Sequence, residues 1–434
     1  MKFRIFHAAE GDCFLLTAGD GTRLLVDGGR SHTWRDHAAS FMGGLREGGA
    51  RLDAVCVTHI DRDHIEGVLQ MMDDIVRWRV HRHQLAHDNP GHPEPESPEP
   101  PDVGEIWHNA FHEMTGDNAG PIADLFAAMA RVLAFHPDPR FQEFAAARPD
   151  LATSKKQAIQ LSRRIGADQL GIPLNPAADG KLMFARDGAG PFELGGFRVT
   201  ILAPFEQDLE KLRDEWDEWL ANNADVIASI REQAELDEDE LAGQGLAAAG
   251  APLRLAAEEL GDRGNVTLPN LASLMLLVEA DGTRALLTGD GHQDDLLKGL
   301  EETGVIGEGA GLHVDVLKVP HHGSEHNMDA TMFRRITADH YVIGADGGHH
   351  NPDLAIVDVM LRSRLGTPDE RSPNPEVDRP FRVWFSSSPT SLHVATRAAH
   401  MEAVRQRVRD FQGDAPPGRL SYRFLGGSSR EFTV

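Results

Sequence analysis

The feature that most constrains this chain is a recurrent ending. Short apolar runs stop at a polar residue able to bind metal, with glycine beside it. Leu25-Val26 leads into Asp27-Gly28-Gly29, Val55-Cys56-Val57 into Thr58-His59, Leu286-Leu287 into Thr288-Gly289-Asp290, and Lys318-Val319-Pro320 into His321-His322-Gly323-Ser324. Apolar runs bounded by turn signals suit strands buried on both faces. Glycine at their ends permits the sharp turn and close backbone approach of a crowded site. Tips of this kind meet if their strands lie side by side.

The densest ending is Thr58-His59-Ile60-Asp61-Arg62-Asp63-His64-Ile65-Glu66-Gly67, where an apolar strand meets a helical stretch. Its ligand-type side chains, His59, Asp61, Asp63 and His64, fall within six residues. Imidazole combined with carboxylate suits zinc, manganese or iron. A loop whose histidines and aspartates merely face water is the alternative. Strand-end placement and the remote partners Asp27, Asp290, His321 and His322 weigh against it.

Strand signals at 2–6, 13–18, 22–26 and 52–58 are followed by a helical stretch at 65–80. Residues 88–102 are rich in proline and acid, a composition that cannot pack a core. A mostly helical reading holds for 106–165. Strands return at 197–202, 274–279, 284–288, 314–319, 340–343 and 382–386, and a helix follows His393. An acidic helical block after Glu206 carries Leu209, Leu212, Trp216, Trp219 and Leu220 at helical spacing, an amphipathic stripe that suits packing on the core. Strand groups separated by helices suit two sheets face to face with helices outside, an α/β fold of αββα sandwich form. The expected divisions are a core of residues 1–84 and 191–395 with an acidic helical insertion at about 206–262, a proline-rich loop plus helical cap at 85–190, and a C-terminal helix and tail at 396–434.

The formal charge of −25 disfavours binding extended nucleic acid or anionic membrane through bulk electrostatics. It leaves a local cationic site open, because bound divalent ions add charge at one point. Cys13 and Cys56 both stand in apolar runs and read as buried thiols. The opening residues alternate like a strand and lack a signal peptide's apolar segment, and no apolar stretch approaches the roughly 20 residues that span a bilayer. A cytoplasmic protein without membrane association is expected. The acidic helices and insertions leave room for a protein partner.

These motifs resemble the metallo-β-lactamase superfamily, whose His-x-His-x-Asp-His signature is matched by His59 to His64 with Asp61 in place of the second histidine. That His-x-Asp-x-Asp-His form is similar to the hydrolase domain of ComEC-type DNA-uptake proteins. Glu10-Gly11-Asp12 resembles the family's opening strand, Asp27-Gly28-Gly29 its first signature, and Asn270 to Asp290 its central hairpin. Asp315 to Ser324 resembles its late motif, and Gly348-His349-His350-Asn351-Pro352 the segment after it.

The resemblance implies one or two divalent ions, zinc or manganese. His59 and Asp61 would hold one ion; Asp63, His64 and one of His321 and His322 the other, with Asp290 bridging. Asp27 and Asn270 would support the ligands from behind. The superfamily's further histidine is missing, since none occurs from Pro137 to Gly291. Asn270, water or one of His108, His112 and His136 would replace it, or a single ion would suffice. Asp63 is a candidate to orient the attacking water or take its proton. His349, Ser324, Lys318 and Arg62 are the groups at hand for the leaving group and substrate charge, although Lys318 reads as a strand residue facing outward. The histidine-rich segment around His81, His83 and His87 reads as solvated or partner-facing. The leading function is phosphodiester hydrolysis, with nucleic acid as substrate. Hydrolysis of a small ester, lactone or phosphodiester under a lid is the alternative, and a partner-binding module with a structural metal site a third reading.

Overall fold

The computed structural model describes residues 1–87, 89–109, 157, 160–162, 164–166, 169–186, 190–207, 209 and 272–434. Among them, β1 (Lys2–Phe6), β2 (Phe14–Thr17), β3 (Arg23–Val26), β4 (Leu52–Val57) and β5 (Val103–His108) lie in the N-terminal part. Then come β6 (Phe192–Leu194), β7 (Phe197–Ala203), β8 (Met275–Ala280), β9 (Thr283–Leu287), β10 (Leu312–Lys318), β11 (Ile336–Ile343), β12 (Phe381–Phe385), β13 (Leu420–Phe424) and β14 (Ser429–Thr433). They form a six-stranded sheet, β14-β1-β2-β3-β4-β5, and an eight-stranded sheet, β13-β12-β11-β10-β9-β8-β7-β6.

Period-two alternation sorts the side chains into layers. Phe14 and Leu16 point to the core between the sheets, together with Val26, Cys56, Val199, Val278, Leu287 and Trp384. Leu15, Leu25, Val55 and Val57 point the other way, against Met42 of α1 (Ala39–Glu47) and Ile65, Val68 and Met71 of α2 (Arg62–Ala86). On the far side of the second sheet, Leu317 and Tyr341 pack with residues of α3 (Gln293–Glu302), α4 (Ala330–Arg335), α5 (Leu354–Leu365) and α6 (Ala395–Asp414). Apolar residues on both faces of each sheet require helices outside both, and the αββα sandwich results.

Strands β3, β4 and β5 run parallel, as do β9 through β13. Asp27, the His59 loop, Asp290 and the His321 turn therefore each follow the C-terminal end of a parallel strand. The two sheets are tied at that edge by Leu274 N–H donating to Thr58 C=O at 2.8 Å. Glycine is required where the loop after β3 meets α2. A Cβ on Gly67 would lie 1.9 Å from Gly28 O, and one on Gly28 would lie 2.3 Å from Val68 N.

Three boundaries differ from the sequence reading. β5 falls inside the stretch assigned to a cap, yet it pairs with β4, and its buried Ile106 and Trp107 belong to the core. Residues 396–434 are not merely a helix and tail, because β13 extends one sheet and β14 the other. Helix α2 runs longer than 65–80, to Ala86. Most of the cap and of the acidic insertion lies outside the described residues. Cys13 and Cys56 are buried and free, and burial pushes both thiols well up, which suits packing and not reactivity. No helix among the described residues is long and apolar enough to cross a membrane.

β14 also joins the layers. Phe432 stacks on Trp384 with ring centroids 4.6 Å apart and lies 5.5 Å from Phe3. Phe432→Ala should lower the unfolding free energy by about 2–3 kcal/mol in a denaturant titration, the scale of a partly buried aromatic truncation. A change within experimental error would mean that β14 only decorates the edge.

Candidate metal centre

One carboxylate oxygen is the focus of the site. Asp290 Oδ2 lies 3.2 Å from His322 Nε2, 3.4 Å from His64 Nε2, 3.7 Å from His321 Nε2 and 3.8 Å from His59 Nε2. The turn after β9 brings it there. Gly289 adopts a φ of +49° in a space where a Cβ would touch Ser273 and Thr58, and the Asp290 N–H donates to Ser273 Oγ at 3.3 Å.

The loop after β4 supplies the first side chains. Asp61 is the N-cap of α2 but accepts no capping hydrogen bond; its Oδ2 lies 3.7 Å from His59 Nε2. Asp63 and His64 follow in the first helical turn, where a carboxylate also interacts favourably with the helix dipole. Asp63 Oδ2 lies 3.3 Å from His322 Nε2 and 3.8 Å from His64 Nε2.

Behind them stands Asp27, which adopts a φ of 56°. It accepts from Thr58 N at 2.8 Å, from Thr58 Oγ1 at 2.8 Å and from His64 Nδ1 at 2.9 Å. Because Thr58 Oγ1 spends its proton on Asp27, the 3.1 Å contact with His59 Nδ1 makes that nitrogen the donor. Both imidazoles thus donate from Nδ1 and turn Nε2 toward Asp290.

The turn after β10 completes the cluster. His321 and His322 have φ values of 40° and 57°, a left-handed pair flanked by Pro320 and Gly323. His321 Nδ1 donates to Asn327 Oδ1 at 2.5 Å, while Asn327 Nδ2 donates to Asp290 C=O at 2.8 Å. His321 therefore shares the tautomer of His59 and His64. Between the two late histidines, His322 meets both Asp63 and Asp290 and is the more buried; His321 reaches Asp290 from the solvent side.

Two residues of the cluster were not assigned to it from sequence. Lys318 does not face outward: it is fully buried, with Nζ 2.5 Å from Asp12 Oδ2, 3.2 Å from Asp290 Oδ1 and 2.6 Å from Gly289 O. A lone lysine ending an apolar strand looks solvated in sequence; the aspartates that hold it come from strand-end segments far away in the chain. Asp12 stood in the Gly-Asp pair beside Glu10, and its backbone N–H donates to Asp63 C=O at 3.2 Å.

Several candidates fall elsewhere. His349 and His350 are exposed, and among the described residues no hydrogen bond or ion pair joins His349 to the cluster. Ser324 is buried, its Oγ accepting from the backbone N–H of His326 at 3.4 Å. Arg62 turns toward Glu66, donating at 2.6 Å. His108 is buried at the end of β5 and belongs to none of the ligand groups found among the described residues. Asn270, His112 and His136 lie outside the described residues.

Electrostatically the cluster is poised between imidazoles and carboxylates. Burial and the neighbouring His64 push His59 down to about 3. His322 is pushed up to about 10: burial opposes its charge, but Asp290, Asp63 and Asp12 outweigh it. His64 is likewise held well up against burial by Asp290, Asp27 and Asp63. Despite burial, Asp63 and Asp290 stay well below the usual carboxylate range beside these imidazoles. Lys318 remains charged against burial because Asp12 and Asp290 flank it.

The donor set fits a divalent cation. Nε2 of His59, His64 and His322 are buried with no partner in hydrogen-bond geometry, and each would offer its lone pair to a metal once any proton on it is displaced. Four groups of three residues bring ligand atoms within 4.8 Å of one another: His59–His64–Asp290, Asp63–His64–His322, Asp12–Asp27–His64 and Asp12–Asp290–His322. Oxygen and imidazole nitrogen in this proportion suit zinc or manganese.

Residues 9–142 match the family model described as the Metallo-beta-lactamase superfamily, which supports a domain of that kind within the chain. The matched stretch contains Asp12, Asp27 and the His59–His64 loop; Asp290 and His322 come to it through the fold. No curated protein matches the chain.

Two measurements test this geometry. Asp27→Ala should weaken Zn2+ or Mn2+ binding by about 10–100-fold, the usual cost of removing a group that orients a ligand; unchanged affinity by calorimetry would remove Asp27 from that role. The metal-free protein keeps a proton on His322 below about 10, and a cation must displace it. Affinity should therefore rise with pH by about tenfold per unit for each proton released. Binding heats that do not depend on the ionisation enthalpy of the buffer would contradict this.

Proposed function

We propose that this chain is a metal-dependent hydrolase that cleaves phosphodiester bonds, with DNA or RNA as substrate. The observation that carries the hydrolase reading is the convergence of four imidazole Nε2 atoms on Asp290 Oδ2, three of them lacking any hydrogen-bond partner. Support for a phosphodiester comes from the His-x-Asp-x-Asp-His form of His59 to His64, which resembles the ComEC-type hydrolase domain. The charge of −25 argues for local recognition of the scissile group over extended electrostatic contact.

The cluster has an open and a closed side. Side-chain exposure is 32% for Asp61, 28% for His321 and 21% for Asp63, against 1% for His59 and 0% for His64. Substrate therefore approaches across Asp61, Asp63 and His321. A bound divalent cation supplies Lewis acidity and lowers the pKa of water. His59, His64, His322 and Asp290 would hold it, prearranged by Asp27, Thr58 and Lys318. Asp63 presents an ionised carboxylate on the open side, placed to orient water or take its proton. No serine or cysteine nucleophile is required.

The test is an assay of purified protein, with Mn2+ or Zn2+, on single- and double-stranded DNA, RNA, a chromogenic phosphodiester, and small esters and lactones. DNA or RNA should be cleaved. Asp290→Asn and Asp63→Ala should each lower kcat by roughly 10²–10³-fold while leaving the fold intact by circular dichroism. Turnover of esters or lactones alone would overturn the phosphodiester assignment, and full activity after chelation would overturn the metal-dependent one.

A further inference from the structure

The four cation-capable groups divide on one residue. His59–His64–Asp290 and Asp63–His64–His322 lack Asp12; Asp12–Asp27–His64 and Asp12–Asp290–His322 contain it. Lys318 stands on the Asp12 side. Its Nζ forms an ion pair with Asp12 Oδ2 at 2.5 Å and donates to Asp290 Oδ1 at 3.2 Å and to Gly289 O at 2.6 Å. The other positive groups near Asp12, His64 and His322, stand at 3.9 Å. The two oxygens of Asp290 are thereby divided: Oδ1 faces the ammonium, and Oδ2 faces the imidazoles.

We infer that Lys318 is a built-in cation that fills the Asp12 niche and confines divalent metal to the imidazole side of Asp290. Two buried carboxylates left without a positive partner are strongly unfavourable, and a covalently attached ammonium neutralises them whether or not metal is present. A divalent ion cannot enter the same niche while the ammonium holds Asp12, because like charges would be forced together in a medium that screens them poorly. Lys318 acts through Asp290 and is a positioning residue. Its removal leaves a further place for a metal ion.

The inference rests on the cluster being a cation site, and the wild-type protein is the control for that premise. Mn2+ bound per chain is counted by calorimetry and by the free-Mn2+ electron paramagnetic resonance signal for wild type, Lys318→Met, Lys318→Arg and the double variant Lys318→Met/Asp12→Asn. Lys318→Met should bind one more Mn2+ than wild type, and its melting temperature should rise further on adding Mn2+. Lys318→Arg and the double variant should return to the wild-type number, the first because it restores the cation and the second because the niche loses its charge. If Lys318→Met folds only with Mn2+ present, that dependence supports the inference; failure to fold with Mn2+ as well as without it overturns it. Equal stoichiometry and equal Mn2+ stabilisation in wild type and Lys318→Met overturn it while leaving the proposed function standing. Absence of Mn2+ binding to wild type overturns both.

Discussion

Burying a carboxylate between two sheets requires that each of its oxygens be answered, and Asp290 is answered on both. One oxygen meets the Lys318 ammonium and the other meets four imidazoles. Every other part of the site is arranged to keep that division. Asp27 fixes the tautomer of His64 directly and that of His59 through Thr58, and Asn327 does the same for His321 while binding the Asp290 carbonyl. The sheets contribute by ending where they do. Asp27, His59, Asp290 and His321 each follow a parallel strand, and the Gly28–Gly67 backbone contact lets the first two loops close on each other.

Much of this was legible because it depended on local pattern. Apolar runs with glycine at their tips gave the strands, and the dense spacing of His59, Asp61, Asp63 and His64 gave the loop that the structure brings to Asp290, His321 and His322. What sequence missed depended on partners far apart in the chain. Lys318 follows an apolar strand and looks solvated until Asp12, some three hundred positions earlier, is placed against it. β14 carries too few apolar residues to announce itself, and its membership in the first sheet comes from pairing with β1. β5 was hidden for a related reason, since the proline-rich stretch before it looked like the start of a separate cap. His349 and Ser324 stood beside recognisable motifs, but the turns that carry them direct one to solvent and the other to the backbone of His326.

The overall negative charge says little about the reacting group. Asp12, Asp27, Asp61, Asp63 and Asp290 all count toward the formal −25, yet they are gathered around Lys318, imidazoles and a place for a divalent ion. Locally the balance is set by that cation and not by the protein surface. On the phosphodiester reading proposed above, an acidic protein would act on an anionic bond by gripping it at one point.

The lopsided exposure of the cluster has a kinetic corollary. Asp61, Asp63 and His321 are its most accessible ligand candidates, so among the described residues incoming ion and incoming reactant meet the same side of the cluster. A seated substrate then doubles as a stopper over its own cofactor. Chelators should strip resting protein faster than protein at work, and starvation for metal should be felt first by molecules with nothing to hydrolyse.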